Sequence, residues 1–130
     1  MGLVNEGQVL ERVLPAGPLR RGELWEACHT TANPAVATLS GAQLRHMLAV
    51  DADDEFRRGT TGPLRGRPRG RLFVAGLDGE PEDRDYVVAA TDFELEDYGG
   101  YVERGWRLAI RYEFPTIVRE AIEEELQRAQ

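Results

Sequence analysis

The chain contains no lysine; all 16 of its basic residues are arginine. That absence removes Schiff-base catalysis, the phosphate-binding lysine of a P-loop and the lysine of common nuclease sites. Cysteine occurs once, at Cys28, so no internal disulfide can form, and a reducing, cytoplasmic setting is expected. No apolar run approaches the roughly 18 residues needed to span a bilayer. Residues 1–14 lack the basic segment and continuous apolar core of a secretory signal, so no membrane partner is predicted. With two histidines and one cysteine, no zinc-ligand spacing stands out, and neither a metal nor another cofactor is expected. Cys28 and His29 would point roughly 100° apart on a helix, a poor arrangement for a nucleophile and its base. Together these gaps argue against enzymatic chemistry.

What is present is an ordinary globular balance, 42% hydrophobic and 30% charged, which makes wholesale disorder unexpected. The exclusive use of arginine, with abundant glycine and alanine, matches the codon bias of a high-GC genome. The net charge of −7 conceals an asymmetry. Residues 1–76 hold ten Arg against eight acidic residues, and residues 77–130 hold six against fifteen. The front is therefore mildly basic and the back strongly acidic, which suggests two different surfaces. The chain is read as two parts, 1–76 and an acidic β-β-α extension over 77–130.

Apolar residues at Val9, Leu10, Val13 and Leu14 predict a helix over 5–14, broken by Pro15-Ala16-Gly17-Pro18. A second helix is predicted over 20–29 with Leu24, Trp25 and Cys28 inward, followed by a loop over 30–37. Ser40-Gly41-Ala42-Gln43 fits a reciprocal capping box and opens a helix over 41–50. Phe56-Arg57-Arg58 reads as a short strand, 60–70 as a Gly/Pro/Arg loop and Arg71 to Ala75 as the returning strand. In the back half, 85–90 reads as a strand. Trp106, Leu108, Ile110, Tyr112 and Phe114 alternate with polar or small residues, the clearest strand pattern in the sequence. Residues 117–128 form an amphipathic helix with Ile117, Val118, Ala121, Ile122 and Leu126 inside. The acidic stretches Asp51 to Glu55 and Asp92, Glu94, Glu96 are read as a solvated turn and an exposed acidic face.

The order helix, helix, capped helix, strand, arginine-rich loop, strand over residues 6–75 resembles a winged helix. Val9-Leu10-Glu11 and the stretch from Gly17-Pro18-Leu19 to Ala27 look like the passage from helix 1 to helix 2 of that superfamily. Leu39 to Leu48, Phe56-Arg57-Arg58 and Gly70 to Val74 are similar to its recognition helix and wing. The resemblance implies an α+β fold: an N-terminal winged helix of three helices plus a β-hairpin wing, then a small antiparallel β element and a C-terminal helix. It also implies binding to double-stranded DNA, as a transcriptional regulator or a DNA-targeting subunit.

In such a fold the third helix would present Gln43, Arg45 and His46 to base edges in the major groove. Arg65-Gly66-Arg67-Pro68 resembles the core of an AT-hook, whose arginines enter a narrow minor groove. Arg57, Arg58, Arg65, Arg67, Arg69 and Arg71 would neutralise phosphates, making binding steeply salt-dependent. The acidic back half either packs on the winged helix or forms a homodimer or partner-protein contact. The alternative is a non-enzymatic protein-interaction or assembly module, such as a phage particle component, that does not bind DNA.

Overall fold

The computed structural model describes residues 1–9, 16–28, 30–53, 55–56 and 71–129. The chain begins with a strand, β1 (Gly2–Asn5), and a single helical turn, α1 (Glu6–Val9). Helix α2 (Arg21–Ala27), strand β2 (Pro34–Ser40) and helix α3 (Gly41–Ala52) follow. Strands β3 (Leu72–Ala75) and β4 (Asp85–Thr91) lead into the short helix α4 (Asp92–Leu95) and a 3-10 turn over Asp97–Gly99. Strand β5 (Ile110–Tyr112) and helix α5 (Val118–Arg128) complete the order.

The five strands form one mixed sheet in the order β3-β1-β4-β2-β5. β1 runs antiparallel to β3 and parallel to β4, and β2 lies antiparallel to both β4 and β5. The sheet therefore draws strands from both sides of Gly76. This arrangement corrects the winged-helix expectation. A strand comes first, and β3 pairs with β1 rather than closing a wing hairpin. Phe56 is helical rather than extended, Asp51 and Ala52 continue α3 rather than forming a turn, and 57–70 lie outside the described residues. The loop expected over 30–37 contains the first four of the seven residues of β2. Pro34 and three small residues weaken its β signal, yet alternation places Ala35, Ala37 and Leu39 in the core. The long strand expected over 106–114 is paired only at Ile110–Tyr112, where it reaches Ala35–Ala37.

One face of the sheet carries the main core. Leu3, Ala35, Ala37, Leu39, Leu72, Tyr86 and Val88 meet Leu44 and Met47 of α3, with Phe93, Leu95 and Tyr101 filling the end of the layer. α3 is fixed at its start by a reciprocal cap. Ser40 Oγ accepts from the Gln43 N–H at 3.1 Å, and Gln43 Oε1 accepts from the Ser40 N–H at 2.9 Å. Glycine is required there for a steric reason. A Cβ at Gly41 would lie 1.8 Å from the Glu82 carbonyl oxygen, and one at Gly99 would lie 1.8 Å from that of Phe93.

A buried polar latch joins the end of β1 to residues 91–101. Thr91 caps α4, and Glu94 is a fully buried side chain rather than part of an exposed acidic face. Its carboxylate accepts from the Asn5 N–H at 2.7 Å, from the Thr91 N–H at 2.9 Å and from the Thr91 hydroxyl. Asn5 Nδ2 in turn donates to the Tyr101 hydroxyl at 2.7 Å. Burial pushes the Glu94 carboxyl above its ordinary value, against the opposing pull of the hydrogen bonds from Thr91 and Asn5.

Gly41→Ala and Gly99→Ala, which would force a methyl group into these close approaches, are each expected to destabilise by about 1–3 kcal/mol. Gly22→Ala, in α2 with open space around it, is expected to stabilise by about 0.5–1 kcal/mol; urea midpoints compare the three. The raised Glu94 value means that the folded state holds its proton to higher pH than the unfolded state. Its contribution to stability is therefore greatest at acid pH and falls as pH rises from the ordinary glutamate value through the folded one. Glu94→Gln should remove that slope. It should also cost about 1–3 kcal/mol, because an amide can face only one of the two N–H donors with an oxygen. Denaturation of both proteins across pH 4–8 checks both points.

Candidate functional site

The second face of the sheet is covered differently. On β4, alternation sends Tyr86 and Val88 into the core and leaves Asp85, Val87 and Ala89 on the opposite side. Val87 is 64% exposed, and Phe73 on β3 is 57% exposed. The register sets Gly2 beside both Ala75 and Ala89, and Val4 beside Phe73. The middle of this face is thus a floor of three small residues, Gly2, Ala75 and Ala89, between two large apolar side chains. Large exposed apolar groups gathered on one surface commonly mark an interaction site.

α5 covers only part of this face. Its residues Val118, Ala121, Ile122 and Glu125 fall at i, i+3, i+4 and i+7, so they lie along one side of the helix. Val118 packs with Cys28 and Ala32, and Val4 and Ile122 join that small cluster. The Val118 N–H donates to the Ala32 carbonyl at 2.9 Å. α2 holds the helix from outside. Trp25 Nε1 donates to Glu123 at 3.1 Å, and Arg21 meets the same carboxylate at 2.8 Å. The Trp25 ring also receives the guanidinium groups of Arg21 at 5.0 Å and Arg119 at 4.2 Å. Beside this anchored helix runs an open, almost entirely apolar groove of about 410 Å³. Phe73, Ala75, Gly2, Ala89, Ile122 and Glu125 are among its lining residues.

The residues expected to read DNA are placed elsewhere. Gln43 caps α3 through Ser40. Arg45 donates to the Pro81 carbonyl at 2.6 Å and pairs with Asp83 at 2.7 Å. His46 packs edge-on to Trp106 at 5.2 Å, with its Nδ1 3.5 Å from Glu103. The polar side of α3 thus faces acidic neighbours. Arg71 is exposed just before β3. Arg57, Arg58, Arg65, Arg67 and Arg69 lie outside the described residues.

A second cleft, of about 320 Å³, lies on the other side of β5 and is lined by Glu96, Glu103, Trp106 and Tyr112 among others. The Tyr112 hydroxyl donates to Glu96. Burial and that carboxylate push the phenol up to about 12. Among the described residues no group of three or more His, Cys, Asp or Glu side chains could hold a metal ion. No helix among them is long and apolar enough to cross a membrane.

The open face went unnoticed in the sequence, although a signal was present. Leu72-Phe73-Val74 and Tyr86-Val87-Val88 are apolar at successive positions, so each strand offers apolar groups to both faces. If Phe73 and Val87 serve contacts outside the chain, folding does not need them. Phe73→Ser and Val87→Ser are each expected to shift stability by less than about 0.5 kcal/mol, in contrast to about 2–5 kcal/mol for Met47→Ala in the core. Urea denaturation of the three variants tests this.

Comparison with known proteins adds an architectural parallel. No family model and no curated protein matches the chain. Among solved structures, it is similar to the crystal structure of a 5'-nucleotidase precursor from Thermus thermophilus. The TM-score is 0.67 and the identity 17%, over 98% of this chain and 28% of that one. The chain therefore spans under a third of that protein's length, and the likeness is one of fold.

Proposed function

We propose that the chain is a protein-interaction module, docking against another protein through the open sheet face that bears Phe73 and Val87. The exposure of these two side chains on one face, beside an apolar groove, carries the reading. Apolar area left in water gains about 25 cal/mol per Å² when a partner covers it. The rival is duplex DNA binding, and it draws on the arginines of 57–71. Against it stand the intramolecular partners of Gln43 and Arg45, the position of His46 between Trp106 and Glu103, and the net charge of −7.

A photo-crosslinking amino acid at position 73 tests the proposal in cells. The expected result is an adduct of one defined mass, whose partner is then identified, purified and titrated. Phe73→Asp and Val87→Asp should each weaken that purified complex at least tenfold. An affinity unmoved by either change would overturn the proposal. So would salt-sensitive binding to duplex DNA that Arg65/Arg67/Arg69→Ala abolishes, with no crosslink from position 73.

A further inference from the structure

At the edge of the sheet rather than on its open face, we infer a second contact: two copies of this chain join through their β5 strands. The strands pair antiparallel about a two-fold axis at Tyr112 and make one continuous sheet. The first support is the phase of the backbone. β5 closes the strand order and has β2 as its neighbour among the described strands. In that antiparallel pairing Ala35 lies opposite Tyr112 and Val36 opposite Arg111. The Glu113 N–H continues the ladder by donating to the Pro34 carbonyl at 2.9 Å. Backbone groups along a strand alternate between its two sides. Arg111 and Glu113 therefore direct theirs at β2, and Ile110, Tyr112 and Phe114 turn their N–H and C=O groups to the outer edge. An open row of this kind is a template for a further strand. For two β5 strands to bond there, even-numbered residues must face even-numbered residues, so the axis passes through a residue and not between two.

The second support is what each axis brings together. Opposed residues that exchange no backbone bonds hold their side chains closest, with Cα atoms about 4.5 Å apart. Across this edge those residues are Arg111 and Glu113. An axis at Arg111 sets the two Arg111 side chains against each other, and an axis at Glu113 does the same with two carboxylates. An axis at Tyr112 instead sets Arg111 opposite the partner's Glu113, and Glu113 opposite the partner's Arg111. Within one copy these two groups already lie 4.0 Å apart, both exposed. The result is a ring of four charges in which every neighbour, along the strand or across the axis, has the opposite sign. Each copy carries a net charge of −7, so self-association needs local complementarity of this kind. On the other face of the sheet the same axis lays Phe114 across from the partner's Ile110. Phe114 is 68% exposed and stacks on Tyr112 at 5.1 Å, so its own chain leaves most of it uncovered. An axis at Ile110 would oppose Glu113 to the partner's Arg107, but Arg107 precedes the segment that β2 holds, and Arg111 would face only Ala109.

Sedimentation velocity of the full chain over a concentration series tests the inference, with circular dichroism to confirm that each variant is folded. The unaltered chain should show a monomer–dimer equilibrium. Arg111→Glu and Glu113→Arg each place four like charges around the axis, and each should weaken dimerisation roughly tenfold or more. An equimolar mixture of these two variants should recover a dimer, because each offers the sign that the other lacks. Arg111→Glu/Glu113→Arg in one chain should recover it alone. Phe114→Ser should weaken the dimer, whereas Arg107→Glu and Phe73→Asp should leave it unchanged. A chain that stays monomeric at its highest soluble concentration would overturn the inference, as would a dimer that neither single charge reversal affects. Loss of the dimer in Arg107→Glu but not in Arg111→Glu would overturn the Tyr112 axis. A dimer dissolved only by Phe73→Asp would place the contact on the open face, overturning the edge pairing and making a second copy, not a different protein, the occupant of that face.

Discussion

The pairing of β1 with β4 is the constraint on which the architecture depends. β1 is only four residues long, yet it joins β3 on one side and β4 on the other. Its start is tied down by the Met1 carbonyl, which accepts from the Ala89 N–H at 2.9 Å. Its end is tied down by Asn5, whose N–H reaches Glu94 and whose side chain reaches Tyr101. A buried carboxylate is costly unless its oxygens are satisfied, and here Asn5 and Thr91 supply the donors. The latch therefore stands only when residues some ninety positions apart are already in register, which makes the sheet a product of both halves of the chain.

From that register the two faces acquire different fates. The alternation that gathers Leu3, Leu39, Tyr86 and Val88 under α3 necessarily turns Gly2, Val87 and Ala89 to the other side. α3 covers the first face from the middle, held by its cap and by the close approach of Gly41 to the Glu82 carbonyl. α5 packs on the second face near Val4 and is held from outside by Trp25 of α2. The same anchoring sets Glu125, paired with Arg128, beside the apolar groove.

Several elements were legible in the sequence because local chemistry dictates them. The Ser40–Gln43 pair announced the start of α3, and a stripe of apolar residues announced α5. Helix α2 and strands β3 and β4 also lie where their patterns placed them, within a residue or two. β2 was hidden, since Pro34 and the alanines have weak strand preference and owe their conformation to neighbours on both sides. β1 was hidden because a four-residue strand leaves too short a period to register against the helix-like pattern that follows. The alternation from Trp106 to Phe114 was real, but the ladder with β2 holds only Ile110–Tyr112, with the Glu113 N–H adding a bond to the Pro34 carbonyl. The winged-helix order failed at the partner of β3, because a hairpin and a long-range pairing look alike in one strand's own residues.

For the candidate site the division is the same. The sequence by itself determined the composition of the surfaces: a back half rich in acids, arginine as the sole cation besides histidine, and strands apolar at consecutive positions. It also determined the two long helices, whose signals are confined to a few neighbouring residues. Only the tertiary structure decided that Phe73 and Val87 share one open face, that Arg45 turns to Asp83, and that Glu94 is buried. Each of these depends on which strand lies beside which. Strand order is set by long-range hydrogen bonding and by the competition among helices for sheet area, and neither leaves a mark within any single segment.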